Sequence, residues 1–161
     1  MALALTLALA GFARGSELIL FDGSTVPAVV YDARDGAPIA HAAELLAGDL
    51  RSLTGIQPPV VPSVAQGRGA AVIVGRADSP AIAALLAANG IDAAPIRGKW
   101  ETYGRAVIPA PWNAGEKALL IFGSDTRGAI WGVVDLTREM GVSPWEWWAD
   151  VTPAKPGGSM F

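Results

Sequence analysis

From residue 18 onward the apolar residues follow two different spacings, separated by glycine and proline. Short uninterrupted runs at residues 18–21, 27–31, 60–61 and 70–74 are bounded by Asp-Gly, Pro or Gly, and are predicted to be strands. Residues 100–108 and 117–122 are predicted to form an antiparallel pair, joined by a loop over 109–116. Three other stretches repeat at steps of three and four. Ile39, Ala43, Leu46, Leu50 and Leu53 make a stripe that begins just after Pro38 and stops at Gly55. Ser79-Pro80 opens a short second helix with Ile82, Leu85 and Leu86 inward, ending at Asn89-Gly90. Ala129, Val133, Leu136 and Met140, widened by Ile130 and Val134, mark a third helix over 126–140. It is preceded by the caps Ser124 and Asp125 and followed by Gly141 as a left-handed C-cap. Strands and helices alternating in this order predict an α/β domain, a mixed β-sheet with about three packed helices.

Composition narrows the picture. A chain of 161 residues suits one domain, and 52% hydrophobic content against 17% charged excludes disorder as its general state. Twelve basic against 15 acidic residues give a net charge of −3 with no basic cluster, so neither nucleic acid nor an anionic membrane surface is expected as a partner. Without cysteine there is no disulfide and no thiolate metal site. Residues 1–15 hold an apolar run the length of a signal-peptide core, too short to span a bilayer and lacking the usual positive start. The expected organisation is a signal peptide with an incomplete n-region over 1–15, an α/β domain over 16–151, and a linker or disordered tail over 152–161.

The candidate chemistry is concentrated in residues 119–150. Gly123-Ser-Asp-Thr-Arg-Gly128 has the two-glycine spacing of a phosphate loop between a strand and a helix. Ala129-Ile130 stand where Lys-Ser/Thr would supply charge and a magnesium ligand, so a capped turn is the better reading. His41 is the single histidine and falls off the first helix's apolar stripe, on an exposed face; it can build neither a metal site nor a triad alone. The carboxylates Asp22, Asp32, Asp35, Glu101, Asp125, Glu146 and Asp150 are scattered, mostly at turns and caps. The aromatic group says more. Trp131 sits about half a turn from the apolar stripe, beside Asp135 and Arg138, and Trp145, Trp147 and Trp148 follow closely. An indole on the polar side of a helix implies a partner, which can be another domain or a sugar ring.

At these residues the chain resembles a known family. The string GSDTRGAIWGVVDLTREMGVSPWEWWAD is similar to the end of the N-terminal domain of glycoside hydrolase family 115, the xylan α-1,2-glucuronidases. Members carry a pattern like GSDxRGTIYGxYDLSxxxGVSPWxWWAD. The blocks VVYDARDGAPIAHAAELLAGDLRSLTGIQPPVV, AAVIVG and IRGKWETYGRAVIPAP agree with it, so the resemblance covers about residues 17–151, with Trp131 where a tyrosine is usual. It implies a large, multidomain, secreted or periplasmic hydrolase that removes glucuronic acid, or its 4-O-methyl form, from xylan with inversion. It also implies that the catalytic carboxylates lie in a barrel domain that follows. The sequence stops about ten residues after WWAD, so no catalytic residue is carried over. The chain is expected to be an N-terminal accessory domain or fragment, inactive alone and without cofactor or metal. Its expected partners are the catalytic barrel and a xylan-derived acidic oligosaccharide. Asp125, Arg127, Trp131, Trp145, Trp147, Trp148 and Asp150 are the candidate substrate or domain-interface contacts. The alternative is a stand-alone carbohydrate-binding or interaction module built on the tryptophans.

Overall fold

The computed structural model describes residues 18–142. The signal peptide expected over 1–15, the tail over 152–161, and Glu146, Trp145, Trp147, Trp148 and Asp150 lie outside the described residues. Within them the chain forms β1 (Ala28–Tyr31), α1 (Ala37–Thr54), β2 (Val60–Val61), β3 (Ala71–Arg76), α2 (Pro80–Ala88), β4 (Tyr103–Ala110), β5 (Asn113–Gly123) and α3 (Thr126–Glu139). The strands make one mixed sheet in the order β2-β1-β3-β5-β4, parallel throughout except for β4, which runs antiparallel to β5. The expected mixed α/β architecture with three helices is the one observed.

Period-two alternation divides the sheet between two apolar layers. Val29, Val72, Val74 and Ile121 face α1 and α3, meeting Ile39, Leu46, Leu50, Ala129 and Val133. Val30, Ile73, Leu120 and Phe122 face the opposite way, onto Ile82, Leu85 and Leu86 of α2. β3 is covered on both sides, which is why its sequence is a continuous apolar run. Helix ends follow the predicted signals. Gly55 is left-handed at the end of α1 (φ 79°). At the end of α3 the Gly141 N–H donates to Arg138 O and the Val142 N–H to Thr137 O, a Schellman closure.

Three local expectations give way. Residues 18–21 form no strand. Leu18 and Leu20 are buried in the α1/α3 layer, and Asp22 then collects the N–H groups of Ser24 (2.8 Å) and Thr25 (2.7 Å), turning the chain at once. The loop expected over 109–116 is a tight hairpin instead. β4 runs through Pro109 to Ala110 and β5 starts at Asn113. Proline is tolerated because β4 is the edge strand, and the register shifts at Pro109/Ala110. Third, Ser79 precedes α2 as expected, but its hydroxyl donates to Arg76 O (2.9 Å) and does not cap the helix.

α3 lies close to β5 and to the entry of β4, and glycine permits it. A Cβ on Gly128 would overlap the Thr102 carbonyl, and one on Gly132 would press on Ile121 and the Tyr103 ring. Alanine in a helix normally gains up to about 1 kcal/mol over glycine. At Gly128 that gain opposes backbone overlap, which costs about 1–3 kcal/mol and wins. Gly128→Ala is therefore expected to lower the urea midpoint. Gly48→Ala, exposed in α1 with nothing within 4 Å of its Cβ, is expected to raise it.

Asp125 is the N-cap of α3 and accepts the Gly128 N–H at 2.7 Å. That bond, and one from the Glu101 N–H, hold its carboxyl below the ordinary carboxylate range. A folded-state pKa below the unfolded one contributes stability that is fully present above about pH 4 and is lost as pH falls through the folded value. Asp125→Asn is expected to destabilise at pH 7, with a gap to wild type that narrows on acidification. Parallel urea titrations at pH 7 and near pH 3 measure it; a gap independent of pH would refute the charge's role.

Candidate functional site

Strands β1, β3 and β5 all end at the same edge of the sheet, the edge where α/β folds gather ligands. At the end of β5 the chain turns through Gly123 and Ser124 into α3. Asp125 does more than cap. Its Oδ1 accepts from Gly128 N and its Oδ2 from Glu101 N (3.0 Å), so one carboxylate ties the start of α3 to the loop before β4. Ser124 doubles the tie: its N–H donates to Thr102 O (2.8 Å) and its Oγ accepts from Thr102 N (3.1 Å).

The loop held in this way contains Trp100 and Glu101. Glu101 is left-handed (φ 53°), the one non-glycine residue with positive φ among the described residues. Such a conformation costs on the order of 1 kcal/mol and persists only where the surroundings impose it. Here they do. Besides the bond from its N–H to Asp125, the Glu101 carboxylate pairs with Arg127 (3.2 Å) and accepts from Trp131 Nε1 (3.1 Å).

This arrangement belongs to a longer register. Arg127, Trp131, Asp135 and Glu139 recur every four residues along α3, and Glu101, Tyr103 and Arg105 every two along the loop and β4. Four helical residues advance about 6 Å and two strand residues about 6.6 Å, so the two series stay in step. Glu101 meets Arg127 and Trp131. Tyr103 Oη donates to Asp135 (2.6 Å), and Arg105 forms a two-pronged pair with Glu139 (2.8 and 2.6 Å). The bond from Tyr103 lowers the Asp135 pKa, and the Arg105 guanidinium lowers that of Glu139.

Trp131 is therefore not a wholly unpartnered indole, since Glu101 receives its N–H, although 46% of the residue remains exposed. Trp100 is 84% exposed, the largest value among the big apolar residues described. With Glu101, Asp125, Thr126 and Arg127 it lines an open depression of about 390 Å³. The sequence-predicted residues Asp125, Arg127 and Trp131 thus share one small region. Glu101 was visible only as one scattered carboxylate, and Trp100 only as the start of a strand. The matched spacings 101/103/105 and 127/131/135/139 are the signal that could have joined them. His41 stands apart, exposed on the outer face of α1 with Glu44 at 4.0 Å. Among the described residues no group of three or more His, Cys, Asp or Glu could hold a metal ion. No described helix is long and apolar enough to cross a membrane. Glu101 is engaged by a guanidinium and an indole N–H.

No protein-family model and no curated protein matches the chain. A solved structure does, that of a family 115 4-O-methyl-α-glucuronidase with specificity for decorated arabinogalactans. The likeness has a TM-score of 0.68 at 28% identity and covers 90% of this chain, which spans only 17% of that enzyme. In sequence and in fold, this chain is similar to one domain of a glycoside hydrolase of family 115.

Proposed function

We propose that the chain serves as the N-terminal accessory domain of an inverting α-glucuronidase, exported to the periplasm or the cell exterior, and that it has no hydrolytic activity by itself. The proposed reaction of the whole enzyme is removal of glucuronic acid, or its 4-O-methyl form, from xylan. The proposed partner of this domain is the catalytic barrel, and the flank of α3 carrying Trp131 is the surface offered to it. The observation that carries the reading is the likeness itself. It extends over nine-tenths of this chain yet only 17% of a 4-O-methyl-α-glucuronidase, the ratio expected of one domain beside a much larger catalytic part. The geometry agrees with an accessory role. The carboxylates at the sheet edge are taken up by capping and ion pairing: Asp125 by two backbone N–H groups, Glu101 by Arg127 and Trp131.

The purified 161-residue chain, incubated with glucuronoxylan and with glucuronidated arabinogalactan, is expected to release no uronic acid detectable by anion-exchange chromatography. Release from either polymer would overturn the accessory reading.

A further inference from the structure

We propose that Trp100, Glu101 and Arg127 form a sugar-binding platform that takes one pyranose ring of a glycan chain on the open face of the Trp100 indole. The proposal stands on this chain's own residues and takes from the reading above only the choice of glycans to try. A large apolar ring left 84% in water gains nothing for folding, so packing does not explain Trp100. Its mount is nevertheless rigid. The Trp100 carbonyl accepts from Thr102 Oγ1 (3.0 Å), and the next residue, Glu101, is held left-handed by the bond from its N–H to Asp125. A flat, solvent-facing indole on a backbone held in this way suits the flat apolar C–H face of a pyranose, and little backbone ordering is left to do on binding.

The hydroxyl rim of such a ring needs donors and acceptors beside the indole. Arg127 and Glu101 line the same depression, the first with its side chain 68% exposed and the second 29%. A surface ion pair of this kind contributes little to stability, so its members can exchange one another for sugar hydroxyls. The guanidinium fork offers paired donors and the carboxylate paired acceptors. The depression, about 390 Å³, is of the size that holds a small ligand or a single sugar unit.

The test is isothermal titration, with tryptophan fluorescence, of the 161-residue chain against xylo-oligosaccharides and arabinogalactan oligosaccharides. The expected result is saturable binding with a change in indole emission. Trp100→Ala should weaken it about tenfold or more, and Trp100→Phe less. Arg127→Met should weaken it too, through a side chain exposed enough to be replaced without unfolding. Absence of a saturable response to every oligosaccharide would overturn the proposal, as would binding that Trp100→Ala and Arg127→Met both leave unchanged. If Trp100→Ala instead abolished self-association, with no glycan response in wild type, the surface would be a protein contact and the proposal would fall. None of these outcomes bears on whether the chain alone releases uronic acid, so the platform and the accessory role fail separately.

Discussion

The closeness of α3 to the sheet is the constraint on which the described structure most depends. Where Gly128 passes the Thr102 carbonyl and Gly132 passes Ile121 and Tyr103, no Cβ intervenes, and the helix settles directly on β5 and the entry to β4. Two glycines inside a helix cost up to about 1 kcal/mol each in propensity. The cost is offset because the approach buries Ala129, Val133 and Leu136 in the apolar layer on that face of the sheet. It also brings the first turn of α3 within reach of the loop before β4, and so lets one carboxylate, Asp125, bond to both.

Once the helix is that near, its polar flank cannot point freely into water. It runs alongside the edge strand, and the near equality of four helical rises to two strand rises converts two polar series into a set of matched partners. Single pairs on a surface contribute little. Several in register fix the rotation of α3 about its axis. The last pair in the series, Arg105 with Glu139, is the more shielded on the arginine side and adds a guanidinium stacked 5.9 Å from the Tyr103 ring centroid. At the other end, the same register places Glu101 between Arg127 and Trp131. The features at the candidate site are thus fasteners of the fold as well as possible ligand contacts, and Trp100 is the member whose position serves no packing purpose.

Several carboxylates share one electrostatic character. Asp32, Asp78, Asp125, Asp135 and Glu139 all have pKa values lowered by hydrogen bonds that they accept from backbone N–H groups, arginines or a tyrosine. Each favours the ionised form in the folded state, so their joint effect is a domain that loses stability toward acid. None of them carries the raised pKa that a general acid requires near neutral pH.

Local sequence determined most of the elements. The stripe from Ile39 to Leu53, the cap at Asp125, the left-handed Gly55 and Gly141, and the apolar run of β3 each depend on neighbours within a turn or two, where periodicity and capping chemistry act. The polar side of α3 was visible too, with Trp131 out of place on it. What only the tertiary structure decided involves residues distant in the chain. Residues 18–21 carry a strand-like run, but Leu18 and Leu20 are buried in the α1/α3 layer and the run pairs at Phe21 alone. Pro109 reads as a loop until β4 is known to be an edge, where a missing N–H costs no ladder bond. Glu101 and Trp100 gain meaning only when a loop 24 residues away in sequence is docked on Asp125. Spacing along a chain specifies which face a side chain occupies; it cannot specify which other face will be brought against it, and the candidate site is made of such a meeting.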